Sequence, residues 1–151
     1  MEFVYLILKF LHIAAAITAV GANVTYGVWN ARSQSDPAHL GFALKGVKFI
    51  DDRIANPAYG VVLFTGLIMA IWQWHFFHFW IIAALILFIV MAAVAVALYS
   101  PLLVRLINAA DSGQTTSPEF AGMINRNRIL GAAFGLIVAL ILVLMVFKPG
   151  P

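Results

Sequence analysis

Four apolar stretches, Phe3–Trp29, Ala58–Trp74, Phe79–Ile107 and Ile129–Phe147, dominate this 151-residue chain. A helix that crosses a bilayer needs about 20 mostly apolar residues, so four crossings nearly exhaust the length and leave one integral membrane domain, 1–151. Within lipid every backbone polar group must be satisfied, and for long continuous runs that means helix. The expected fold is all-α: a four-helix transmembrane bundle, up-down-up-down, because consecutive spans alternate and the turn between the second and third is short. Composition agrees, since 64% of residues are hydrophobic and 10% charged, against about 45–50% and about 25% in a soluble domain. The net charge of +3 marks loops rather than a nucleic-acid surface in a chain this apolar, and nucleic acid is excluded as a partner. With no Cys, neither a disulfide nor a thiolate metal site is available.

The first apolar run has Glu2 as its only early charge and extends from Phe3 to about Trp29, longer than the short apolar core of a leader, so it reads as a retained spanning helix. After it, Asp36-Pro37 suits an N-cap and first helical position. The helix starting there would carry Leu40, Ala43, Leu44, Val47, Ile50 and Ile54 on one face and Lys45, Lys48 and Asp52 on the other. This short amphipathic cytoplasmic helix between spans 1 and 2 either lies on the membrane surface or packs on the bundle's end. Pro101 is expected to bend or end the third span, and Ser117-Pro118-Glu119 after the polar "DSGQTTSPE" connection to begin the fourth helix. Arg32, Lys45, Lys48 and Arg53 follow the first span, and Arg105, Arg126 and Arg128 flank the second charged connection. The other side has only Lys148 and the embedded Lys9. The positive-inside rule therefore expects charged loops 30–57 and 108–128 in the cytoplasm, with both termini and the "QWHFFHFW" turn outside.

Reading the first helix at every third and fourth residue gives Glu2, Tyr5, Lys9, His12, Ala16, Ala19, Asn23, Tyr26 and Asn30, a stripe that holds nearly all its strongly polar side chains. A charge at the centre of a span costs roughly 2.5–3.5 kcal/mol on insertion scales, so the stripe should face the bundle or a wet cavity. Lys9 can snorkel to the outer headgroups or pair with a ligand carboxylate. His12 is shorter; it is either hydrogen-bonded to another helix or a ligand or proton carrier.

Lys-x-x-His-Ile at the head of the first span, "ANPAYGVVLFTG" at the head of the second and "MVFKP" closing the fourth resemble, over essentially the whole chain, an uncharacterised bacterial family of small four-helix integral membrane proteins. That resemblance implies the bacterial cytoplasmic (inner) membrane. The first helix is also similar to those of the HemJ-type protoporphyrinogen oxidases and the CopD copper-resistance membrane domain. The HemJ resemblance implies that His12 binds b-type haem (haem b), with Lys9 beside it. HemJ proteins have a Trp-containing segment and a Pro-Arg pair where this chain has Ala19, Val20 and "TYGVWN", so what it implies is a cofactor pocket rather than the oxidase reaction.

A haem in a four-helix bundle needs one axial His and often a second axial ligand. Met69 and Met91 fall within a turn or two of the depth of His12 and are candidates, although Met in such spans also fills packing gaps. Asn23 and Tyr26 would be polar lining deeper in the seam. His75 and His78 have H-x-x-H spacing that could hold Cu or Zn, yet they sit among Trp72, Trp74, Phe76, Phe77, Phe79 and Trp80, an aromatic belt. Gly131, Gly135 and Ala139 form a small-x-x-x-small ridge, a packing or oligomer signal. Asp51, Asp52 and Arg53 read as loop ion pairs or lipid contacts. No span but the first shows a comparable polar lining. The expected function is a b-type haem protein acting in electron transfer or porphyrin-linked redox. The alternatives are a non-enzymatic accessory subunit of a larger membrane complex or homo-oligomer, and a small transporter or metal-handling protein.

Overall fold

The computed structural model describes residues 2–74 and 77–150. Helix α1 (Glu2–Ser35) is unbroken. A 3-10 turn at Pro37–His39 leads into α2 (Leu40–Ile50), a π turn (Asp51–Ala55), α3 (Asn56–Met69) and a second π turn (Ala70–Trp74), all one continuous rod. The third rod is α4 (Phe79–Val94), a π turn (Ala95–Tyr99) and α5 (Ser100–Asp111). The fourth is α6 (Pro118–Phe147). These four rods are each long and apolar enough to cross a membrane, at 30 to 34 residues. At about 1.5 Å per residue they reach about 45–51 Å, so their ends tilt or project beyond a hydrocarbon layer about 30 Å thick. The chain is an all-α integral membrane bundle.

Two of the π turns have a local cause. Proline has no N–H and its ring crowds the carbonyl four residues back, so an α-helix running through it must loosen. Pro57 directly follows the π turn at Asp51–Ala55, and Pro101 the one at Ala95–Tyr99. Pro101 therefore does not end the third rod, which absorbs it and continues to Asp111. Ser117 caps α6 as expected: its Oγ accepts the Phe120 N–H at 3.1 Å. At the other end Lys148 adopts the left-handed conformation (φ 46°), and its N–H reaches the Leu144 carbonyl at 3.0 Å.

Helix α3 packs on α1, α4 packs on α6, and α1 and α6 meet between the pairs. The amphipathic helix α2 turns Leu40, Ala43, Leu44 and Val47 onto α1 and α5 and continues into the second span. With Leu103 and Leu106 these side chains make the densest part of the core; Leu44 is 1% exposed, and Val47, Leu103 and Leu106 are 0% exposed. Lys45 Nζ joins Asp111 Oδ1 at 2.8 Å across the same contact. Large apolar residues such as Phe3, Phe10, Ile17, Val24 and Phe64 point outward, as lipid contact requires.

The polar stripe of α1 turns to the other helices from His12 to Asn30: Ala19 and Tyr26 are buried, and His12, Ala16, Asn23 and Asn30 half-buried. Glu2 and Lys9 are exposed. The ridge on α6 is different. Gly131, Gly135 and Ala139 are exposed, and nothing stands within 4 Å of a Cβ built on either glycine. Within this chain the ridge is therefore not the close helix contact that its spacing suggested.

Candidate functional site

The polar half of the stripe opens onto a cavity of about 650 Å³ bounded by all four rods. Its walls are made by small residues. Gly27, Gly60 and Gly131, from three different rods, line it with nothing within 4 Å of a built Cβ, and Ala31, Ala92, Ala95 and Ala132 extend the space. From Phe88 to Tyr99 the lining runs about 16 Å along the third rod. Helices α3 and α4 do not pack along one another. They meet edge to face at Tyr59 and Phe88, with ring centroids 5.9 Å apart, and Leu63, Ala92 and Val96 border the cleft beside that contact.

One end of the cavity is polar. Asp51 opens the first π turn and Tyr99 closes the other, so the two proline-induced distortions both present side chains to the same space. Tyr26 donates its hydroxyl to Asp51 Oδ1 at 3.2 Å. Asn23 donates its amide to the Tyr59 hydroxyl, and Tyr99 stands edge to face with Phe134 at 5.5 Å. Asn30, Asn56, Asn127 and Arg128 complete this end. Asn127 is 3% exposed, and its Oδ1 has no hydrogen-bond partner among the described residues. A buried acceptor left unpaired costs about 1–3 kcal/mol, which makes it a point where a ligand that donates a hydrogen bond gains most. The opposite end is apolar, lined by Leu63, Phe88 and Met91.

The sequence-derived candidates divide into two groups. Asn23, Tyr26 and Met91 line the cavity; Lys9, His12 and Met69 do not. His12 sits on the α1–α3 seam with Nδ1 2.9 Å from Thr65 Oγ1. The Thr65 hydroxyl donates to the Val61 carbonyl at 2.6 Å, so it is the imidazole N–H that donates to Thr65. The ring lies against Gly66, where a Cβ would come within 3.0 Å of Cε1. A side chain at position 66 would press the imidazole aside by a few tenths of an ångström, and glycine leaves the ring its place.

A haem in the cavity does not fit these residues. No histidine is among the described residues that line it. The Thr65 contact sets the level of His12, and the Tyr59–Phe88 contact puts Met91 one turn nearer the charged loops than Tyr59. The two lie about 13 Å apart along the bundle at about 1.5 Å per residue, too far to face one another across a porphyrin. Met69 lies one turn beyond Thr65, half-buried, on the α3 face that meets His12. His75 lies outside the described residues, so the His75/His78 pair is not defined here; His78 stacks at 6.4 Å on Trp80.

Four residues that sequence reasoning did not assign to the site are Asp51, Tyr59, Tyr99 and Asn127. No other span has a polar lining comparable to that of α1, but each of the other three contributes polar groups to the same space. For Asp51, Tyr59 and Tyr99 the signal that could have found them is the pair Asn56-Pro57 and Ser100-Pro101: an X-Pro step inside a helix loosens its hydrogen-bond ladder, here into a π turn, and π turns concentrate at functional sites, whereas nothing of that kind marks Asn127.

No curated protein and no solved structure matches this chain. A family model does, over residues 6–149, under the description "Predicted integral membrane protein (DUF2269)". The four membrane-length helices of the structure agree with that description. With the match covering nearly the whole chain, the protein belongs to this family of integral membrane proteins.

Proposed function

We propose that the protein binds a small organic molecule with an apolar body and a polar head in the cavity between its four helices. The observation that carries this reading is the unpaired Oδ1 of Asn127, buried beside a 650 Å³ space whose two ends differ in polarity. Pockets of about 300–1,000 Å³ with mostly apolar walls and a few placed polar groups are the usual form of small-molecule sites. The cleft between α3 and α4 offers such a molecule a way in from the bilayer. This is closest to the small-transporter reading of the sequence, now with polar groups on every wall.

The test is native mass spectrometry of protein released from its own membrane, beside Gly60→Leu and Gly131→Leu. Both substitutions fill open space in the cavity without meeting neighbouring atoms at Cβ. A bound small molecule present in the wild type and lost in both variants supports the reading. A protein that carries nothing and co-purifies with another membrane protein favours the accessory-subunit alternative. A b-type absorption spectrum lost in His12→Ala replaces the reading with the haem one: His12 donates one ring N–H to Thr65 and so keeps its other nitrogen as a lone pair.

A further inference from the structure

The chemical class of that molecule can be narrowed by Asp51, the one acidic group that lines the cavity among the described residues. We infer that the cavity takes an organic ammonium ion, its charge beside Asp51 and its apolar body directed toward Met91 and Phe88. This rests on the cavity being a binding site at all.

Asp51 is half-buried in the π turn and accepts the Tyr26 hydroxyl. The ion pairs among the described residues join Asp36 to His39, Lys45 to Asp111 and Lys48 to Asp52. Asp51 is in none of them, although Asp52, next in sequence, holds both its oxygens on Lys48 at 2.5 and 2.6 Å. Lys48, the cation that acts on Asp51 through space, is itself held by Asp52, so the Asp51 carboxylate has no ion pair of its own among the described residues, and lone carboxylates in membrane bundles mark ion or substrate sites. The basic residue that lines the cavity is Arg128, and it is exposed, with its guanidinium donating to Asn125 Oδ1 at 2.9 Å. Its charge is therefore at the rim, engaged elsewhere.

The neighbours of Asp51 select the kind of cation. Tyr26, Tyr59 and Tyr99 line the same space. Tyrosine faces attract ammonium groups, and clustered aromatic rings are how proteins hold amines and quaternary ammonium ions. A metal ion is a poorer fit: Ca²⁺ takes six to eight oxygens and Mg²⁺ an octahedral set of oxygens with retained waters, while among the described residues no three His, Cys, Asp or Glu side chains come together to hold one. The free Oδ1 of Asn127 supplies an acceptor for an N–H of a primary or secondary amine. The apolar end then matches a hydrocarbon or aryl body.

The experiment compares 4-phenylbutylammonium with the neutral 4-phenylbutan-1-ol by equilibrium dialysis against the full chain in phosphatidylcholine nanodiscs, with empty discs subtracted. The expected result is at least tenfold tighter binding of the amine, a preference abolished in Asp51→Asn while the alcohol's affinity is unchanged. Gly60→Leu should remove both ligands. Equal binding of amine and alcohol by the wild type overturns the ammonium inference without needing any variant, and so does a preference that survives Asp51→Asn; in both cases the cavity reading stands if Gly60→Leu still abolishes binding. Absence of both probes from the wild type, or binding indifferent to Gly60→Leu, defeats the cavity reading and the ammonium inference with it.

Discussion

The two halves of this bundle are built on opposite rules. At the end bearing the charged loops, α2 lays Leu44 and Val47 onto Leu103 and Leu106 of α5 with no exposed surface left on three of the four. A few turns away, at the level of Gly60, Ala92, Ala95 and Gly131, the same rods enclose an unfilled space with a carboxylate and an unpaired amide oxygen in it. Interiors normally pack to the density of organic crystals, and the loop end shows that this chain can do so. The hollow is therefore a local choice of small residues. The difference teaches that close packing and open space belong to separate layers: a tight clamp at one end holds rods that need not close on each other in the middle.

That division can be broken most visibly at the clamp. Leu103→Ala should cost about 2–5 kcal/mol, the range for large-to-small changes at fully buried positions, seen as a lower midpoint in thermal unfolding of the detergent-solubilised protein. A loss below 1 kcal/mol would mean that the loop end is not what holds the bundle. The second change should act in the opposite direction. Asn127→Leu replaces an unsatisfied buried acceptor with an apolar group of similar size and should stabilise the ligand-free protein by about 1–3 kcal/mol, while removing one binding group from the cavity. A destabilised Asn127→Leu would show that the amide is needed for the fold and that the hollow is not a site set apart from it. The smallest effect concerns the ion pair across the clamp. Lys45 and Asp111 are both about half exposed, so a double-mutant cycle should return about 0.2–1 kcal/mol, shrinking with added salt.

Much of the architecture could be read directly from residue order. The stripe on α1 was legible because one helix contributes many polar groups at a period near 3.6, and only one orientation hides them from lipid. The start of α6 was legible from Ser117-Pro118-Glu119. The second span was drawn from Ala58, because hydropathy excludes a segment carrying Lys48, Asp51, Asp52 and Arg53. The rod in fact begins at Leu40 and carries Asp51 into the cavity wall. Tyr59, Tyr99 and Asn127 escaped notice for a different reason. Each wall opposite α1 supplies too few polar groups for a periodic signal, and what unites them is proximity across rods. His12 was the reverse case: its type and depth were conspicuous, but a hydroxyl on the neighbouring helix occupies one ring nitrogen.

The π turns carry a geometric consequence for how this chain tolerates change. Each inserts one residue into an otherwise α-helical ladder, so it acts as a fixed phase shift of about 100° between the faces before and after it. In the second rod, the face that clamps the loop end and the face that lines the cavity belong to different phases of the same helix. Closing the turn by losing one residue between Asp51 and Ala55 would leave both faces in place, because the wide turn only takes up an extra residue. Losing one residue from the regular helix between Tyr59 and Thr65 has nothing to absorb it and would swing Thr65 and Gly66 about 100° away from His12.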